Sequence, residues 1–236
     1  MGDLVKTMKK LILLLVCFFP ALHAEIKGEK QSVEELKQQA FEVLPTLYGW
    51  CSKEKAENFI DLALAVKPKV YVEIGVFGGS SLFPVATALK YLGEGGIIGI
   101  DPWDKKETIK YFDPSEDAVD LKWWSSINFE RIYYSYLHLI KRFDLEEYCI
   151  TLKMTSEKAA GKINSAIDIL YLDGNHSEAC STQDVQLYLP KVRTGGYIWM
   201  NDTSWSTRQQ AVELLAESCD IIKVIDNGNC VLFKKR

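Results

Sequence analysis

Two short segments carry oxygen and nitrogen groups at spacings that can do chemistry: Asp173-Gly174-Asn175-His176 and Asn201-Asp202-Thr203. Each follows an apolar, strand-like run. Oxygen-bearing side chains on neighbouring strand ends could hold a hard divalent cation such as Mg2+, with Asp173, Asn201 and Asp202 as its ligands. His176, three residues beyond Asp173, could then serve as general base beside the metal, because imidazole exchanges a proton near neutral pH. A plainer use stays open, with Asp173 capping the next helix and His176 hydrogen-bonding within its own loop. His138 lies among Leu137, Leu139 and Ile140 on a helical stretch and reads as structural.

A second constellation is Glu73-Ile74-Gly75-Val76-Phe77-Gly78-Gly79-Ser80-Ser81. Glycines after a strand let backbone amides approach a ligand, and the helix that follows favours a negative group at its start. The loop is not a dinucleotide fingerprint, since Phe77 and Ser80 stand where glycines are needed, and it lacks the lysine of a P-loop. About 25 residues further on, Asp101 ends the next apolar run. An acidic residue there can accept both hydroxyls of a ribose; the alternative is a turn carboxylate in Asp101-Pro102. Loop and carboxylate together point to a nucleoside-type ligand.

These groups need a scaffold that sets strand ends side by side. Apolar runs over 69–74, 96–100, 148–152, 166–172, 197–200, 221–224 and 230–233 alternate with helical patterns over 80–92, 115–143, 177–189 and 207–218. Two more helices precede them, over 32–44 with Ser32 and Glu35 as a capping box, and over 53–66. The alternation predicts an α/β fold, a doubly wound, Rossmann-like and mostly parallel seven-stranded sheet. The near-continuous apolar strands fit burial on both faces. Asp226-Asn227-Gly228-Asn229 joins the last two strands as a hairpin, so the sheet is expected to end in an antiparallel strand. Ligands of such sheets bind beyond the carboxyl ends of the strands, where all the residues above fall.

Taken together, the segments 73–81, 173–176 and 195–202 resemble class I S-adenosylmethionine-dependent methyltransferases. They are similar to the small-molecule O-methyltransferases of the catechol and caffeoyl-coenzyme A type and of the macrocin and mycinamicin sugar type. The resemblance covers roughly 69–205 and the terminal hairpin. It implies S-adenosylmethionine as cofactor, with Glu73, Gly75, Gly78 and Ser81 along its methionine part and Val76, Gly79 and Ser80 in the same loop. Asp101 would bind the ribose, Trp103 would lie near the adenine, and Thr155 and Ser156 would flank it. Asp173 would touch cofactor and metal alike, Asn201 and Asp202 would complete a Mg2+ site, and His176 would be the base. Asn201 departs from the pattern, which has a carboxylate there. The implied activity is methyl transfer to a hydroxyl of a small molecule. The alternatives are a non-catalytic nucleoside-binding module and a metal-dependent, hydroxylase-like relative. The aromatic and acidic stretch 103–124 is a candidate substrate loop.

Composition narrows the partners. A net charge of −4, with no basic run beyond Lys9-Lys10 and Lys234-Lys235-Arg236, offers no footprint for nucleic acid. Lys9-Lys10, the apolar run 11–19 and Ala-Leu-His-Ala before Glu25 have the form of a signal peptide over 1–24, too short for a stable membrane span. One methyltransferase-like domain, 25–236, follows, its residues 25–68 forming a helical cap that could cover the pocket or join a homo-oligomer. Cleavage would make the chain periplasmic or secreted, away from the cytosolic cofactor supply; an uncleaved chain would be cytoplasmic. The cysteines beyond the leader (Cys51, Cys149, Cys180, Cys219, Cys230) contain no C-x-x-C, so no zinc knuckle is indicated, while a single bridge such as Cys219–Cys230 stays open.

Overall fold

Helices α1 (Val33–Val43) and α2 (Lys53–Val66) precede the sheet. Ser52 caps α2 by accepting the Lys55 N–H, and the helix stops at Lys67, left-handed at φ 50°, ahead of Pro68. The computed structural model describes residues 31–115 and 118–236, and Val33–Arg236 make one unit. The expected signal peptide lies outside the described residues. Among them, no helix is long and apolar enough to cross a membrane.

Strands β1 (Val70–Ile74), β2 (Gly96–Asp101), β3 (Cys149–Lys153), β4 (Ile167–Leu172), β5 (Val192–Asn201), β6 (Cys219–Ile225) and β7 (Cys230–Lys235) form a seven-stranded sheet. Their order is β3-β2-β1-β4-β5-β7-β6, with β1 to β5 parallel and β7 antiparallel to both its neighbours. Period-two alternation feeds two cores. Tyr71, Ile97, Ile169, Tyr171 and Trp199 face α1, α2, α3 (Leu82–Leu92) and α6 (Phe129–Arg142). Val72, Ile74, Leu170, Leu172, Ile198 and Met200 face α7 (Ser156–Ala160), α8 (Glu178–Tyr188) and α9 (Gln209–Ser218). Helix α3 is buried along most of its length. Pro84 is tolerated there because it falls in the first turn, where N–H groups have no helical acceptor.

The parallel register decides what meets at the ligand end. Ile74 pairs with Ile100 and with Leu172, and Leu172 pairs with Met200. The next residue of each strand or loop, Gly75, Asp101, Asp173 and Asn201, therefore emerges at one level. Between β1 and β4 the strand order reverses, and the loops leaving these two strands open a crevice.

The last strand is antiparallel and closes the expected terminal hairpin. Helix α9 carries the chain two places beyond β5, and β7 turns back to fill the slot between β5 and β6. The helix-rich stretch 115–143 holds two helices, α5 (Ala118–Ser126) and α6, and Asn128 caps α6 by accepting the Arg131 N–H at 3.0 Å. The fifth strand starts at Val192 rather than 197, its first half hidden by a register shift around Gly195, which sits at φ 73°. Helix α4 (Lys105–Thr108) and α7 are too short to show periodicity; Asp104 and Thr155 cap them. The five described cysteines are free thiols, and Cys219 and Cys230 lie at opposite ends of the β6–β7 hairpin.

Candidate active site

Gly75 follows β1 and packs directly against the backbone of Asp173, which follows β4. It has φ 89°, and a Cβ there would stand 2.0 Å from the Asp173 carbonyl oxygen, so only glycine fits. Phe77 follows, left-handed at φ 48°. It is held by two bonds: its N–H donates to Asp101 Oδ2 at 2.9 Å, and its carbonyl accepts from Trp103 Nε1 at 2.7 Å. The Trp103 N–H donates to Asp101 Oδ1 at 2.7 Å. Asp101 thus ties the loop after β1 to the loop after β2. Burial pushes its carboxyl pKa up, and the backbone N–H groups that it accepts partly counter this.

A cavity of about 600 Å3 opens over these strand ends. Its wall takes Gly75, Val76, Ser80 and Ser81 from the first loop and Asp101 from the second. Thr155 and Ser156 come from the start of α7, and Asp173, His176, Asn201 and Asp202 from the ends of β4 and β5. Four expected cofactor contacts are absent from that wall. Gly78 makes room for protein instead: a Cβ there would meet the Tyr48 carbonyl oxygen at 2.3 Å. Gly79 lies against the Tyr136 ring. Trp103 is buried on Tyr136, rings stacked at 5.3 Å, rather than facing the ligand space. Glu73 is fully buried, accepts the Ser81 hydroxyl at 2.7 Å, and leaves Oε2 without a partner. Burial holds its pKa well above the usual carboxylate range, against the lowering effect of the Ser81 hydroxyl.

The polar centre is the junction of β4 and β5. His176 Nε2 stands 3.2 Å from Asp202 Oδ2 and 3.7 Å from Asp173 Oδ1, with its ring edge-on to Trp205 at 4.9 Å. Ser177, not Asp173, caps α8, and Asn175 ties the loop to its neighbour by donating to the Thr108 carbonyl at 2.8 Å. Asp202 is left-handed at φ 55°, and Asn229 from the hairpin loop donates to its Oδ1 at 2.7 Å.

Asn201 does not stand as a metal ligand. Its amide nitrogen, not its oxygen, faces the carboxylates, donating to Asp173 Oδ1 and Asp202 Oδ2 at 3.0 Å each. Its oxygen accepts from Lys55 Nζ at 2.9 Å. The groups within mutual reach are Asp173, His176 and Asp202, each offering one ligand atom within 4.8 Å of the others. The expected trio Asp173, Asn201 and Asp202 does not fit a Mg2+ ion, which takes oxygens.

Sequence reasoning missed Lys55, which is buried and ion-paired to Asp226 Oδ2 at 3.2 Å. Burial disfavours its charge, but the facing Asp173 and Asp226 carboxylates outweigh that and hold its pKa above the ordinary value. A lysine in the first turn of an amphipathic helix reads as solvated, and its partners lie far off in the chain. Arg208, also buried, donates to the Gly174 carbonyl at 3.2 Å and fixes the loop that carries His176. Trp50 also went unseen as the partner of the aromatic stretch 103–124. Trp50 stacks on Phe77 at 5.4 Å and meets Trp123 at 5.4 Å and Trp124 at 6.2 Å. The stretch 103–124 does line the cavity, through Glu107, Phe112 and these two tryptophans.

With this geometry in hand, the similarities to known proteins are direct. A family described as a methyltransferase domain matches residues 72–203. An uncharacterized protein of Acanthamoeba polyphaga mimivirus is 30% identical over 140 residues, 56% of this chain and 50% of that protein. The match thus spans about half the length of that relative. Among solved structures, the SAH-bound Podospora anserina methyltransferase PaMTH1 superposes with TM-score 0.60 at 10% identity, covering 98% of this chain and 96% of that one. The O-methyltransferase TomG of Streptomyces achromogenes, in complex with SAM, gives TM-score 0.58 at 14% identity over 86% and 90%. These likenesses are of fold.

Proposed function

The chain belongs to the methyltransferase-domain family, and on that premise we propose that it transfers the methyl group of S-adenosylmethionine to a hydroxyl oxygen of a small molecule, with His176 as general base. One observation carries the reading: the His176 imidazole faces two carboxylates on the wall of the same cavity that holds Gly75 and Asp101. The residues present suit the cofactor. Asp101 accepts the backbone N–H groups of Phe77 and Trp103, and the remaining lone pairs of its carboxylate suit a ribose hydroxyl. The Gly75 loop and Ser81 suit the methionine part, and Thr155 and Ser156 at the start of α7 suit the base.

When bound, S-adenosylmethionine supplies a methyl group already activated on a sulfonium, so the protein's task is chiefly alignment. Nε2 of His176, which faces the Asp202 and Asp173 carboxylates, carries the ring's own N–H, and the opposite nitrogen, Nδ1, takes the hydroxyl proton. The imidazolium so formed is stabilised by the carboxylates of Asp202 and Asp173 beside it. Trp50, Phe77, Trp123 and Trp124 offer an apolar aromatic surface for the body of the acceptor. Asp101, Asp173, Asp184 and Asp202 face the cavity against Lys55 and Lys110, a balance that disfavours an anionic acceptor.

Calorimetry with S-adenosylhomocysteine tests the reading. Micromolar binding is expected, weakened by Asp101→Ala about 10- to 100-fold, the worth of hydrogen bonds to a charged group. No binding, or binding indifferent to Asp101, sinks it. Tight binding without turnover of any hydroxyl compound would favour the nucleoside-binding module instead.

A further inference from the structure

Asp173 and Asp202 converge on a group that donates rather than accepts. Asn201 Nδ2 gives a hydrogen bond to each, at 3.0 Å. The other oxygen of each carboxylate is served too: Tyr171 Oη donates to Asp173 Oδ2 at 3.0 Å, and Asn229 Nδ2 to Asp202 Oδ1 at 2.7 Å. All four oxygens have a neutral protein donor, and N–H hydrogens fill the wedge between them. A hard divalent ion needs the reverse, a wedge of converging oxygens. Nor can Asn201 supply its own oxygen by turning over. Lys55 Nζ, which only donates, stands 2.9 Å from Oδ1, so the turned amide would set N–H against ammonium and carbonyl against two carboxylates. Lys55 cannot swing away, because Asp226 Oδ2 at 3.2 Å and the Trp50 carbonyl at 3.4 Å hold its ammonium and its side chain is 5% exposed.

We propose that Lys55 and Asn201 stand where the sequence places a divalent cation, an ammonium–amide relay that gives the Asp173–Asp202 pair its positive partner, so that methyl transfer by this chain needs no metal ion. The inference rests on the methyltransferase reading. Charge balance agrees with it. As the O–CH3 bond forms, the S–CH3 bond breaks with its electron pair left on sulfur, and the hydroxyl proton passes to His176 Nδ1, the ring nitrogen turned away from the carboxylates. One positive charge leaves sulfur and one arrives on an imidazole already facing both carboxylates. Lys55 acts through Asn201 as a positioning residue: linked hydrogen bonds polarise one another, and the amide keeps both carboxylates turned to His176.

The test uses the full 236-residue protein, stripped with EDTA, with Mn2+ as probe read by electron paramagnetic resonance. S-adenosylhomocysteine calorimetry runs beside it. The wild type should show no saturable Mn2+ site up to about 1 mM, the weak end of dedicated divalent sites, and the same S-adenosylhomocysteine affinity in EDTA as in Mg2+. Lys55→Met combined with Asn201→Asp should open the wedge and tighten Mn2+ binding at least about tenfold. A stoichiometric Mn2+ on the wild type that Asp202→Asn removes overturns the proposal. So does a folded double variant that binds Mn2+ no better than wild type. Should the double variant fail to fold, Lys55→Met alone frees the amide to turn and is read the same way. S-adenosylhomocysteine that binds under no condition would sink the methyltransferase reading, while the Mn2+ result would still decide the metal question.

Discussion

His176 and Asp184 are two titratable residues on one wall with opposite demands. His176 must take a proton during the reaction, so His176→Ala should lower turnover by about 10²- to 10⁴-fold and leave S-adenosylhomocysteine affinity unchanged. Radiolabelled methyl transfer to an accepted hydroxyl compound reads the first, calorimetry the second; full activity in the variant removes His176 as base. Asp184 is buried, and that burial raises its pKa to about 6, against the lowering effects of Ser156 and Arg208. Its folded pKa thus exceeds the unfolded value of about 3.9. The protonated form is favoured by the fold, so this contribution to stability is whole below the unfolded pKa and is lost as pH rises through about 6. Asp184→Asn, which mimics the protonated acid, should match wild type near pH 4 and exceed it at pH 8 by about 2 kcal/mol in urea unfolding. An equal difference at both pH values would contradict the assignment. Legibility at this scale followed sequence distance. Asp173 and His176 share one loop and announce each other, whereas Lys55 meets Asn201 146 residues away and nothing local marks it.

At the scale of elements, the site depends on two pieces outside the parallel core. The first turn of α2 carries Lys55, and Ser52 holds that turn by accepting the Lys55 N–H at 3.2 Å. Ser52→Ala should cost about 1 kcal/mol, a fall in melting temperature of about 2–4 °C for a chain of this size, and Ser52→Thr should recover most of it. A variant as stable as wild type would show that the turn is held by other contacts. The β6–β7 hairpin is the second piece: its loop sends Asp226 to Lys55 and Asn229 to Asp202. The hairpin itself was legible in Asn227-Gly228, and the strands in their apolar runs. What it touches was not, because pattern and turn chemistry report local geometry and carry no information on which strand will lie beside β7. The helix break at Asn128 was hidden for a related reason: an N-cap inside a long helical pattern differs from an ordinary surface asparagine only once the helix is seen to start after it.

For the molecule as a whole, the sheet register is what turns separate motifs into one site. Loops 75–81, 101–112, 173–176 and 201–205 come from four strands, and the cap adds Trp50 and Lys55 from a fifth direction. The cavity is therefore assembled only when every layer has docked, and a ligand that fills it binds the folded chain and not the unfolded one. Ligand and folding must then be linked by mass action. S-adenosylhomocysteine at about 100 times its dissociation constant should add about 2.7 kcal/mol, raising the melting temperature by about 5–10 °C. If, as proposed, the loops after β1 and β2 hold the cofactor and the Lys55–Asn201 relay takes the cation position, that shift should be the same in EDTA and in Mg2+. Differential scanning calorimetry at several ligand concentrations checks both statements. A rise that appears only with Mg2+ would mean that a metal, not Lys55, completes the fold around the ligand. No rise at all, with the protein folded, would mean that the cavity takes something other than a nucleoside sulfonium product.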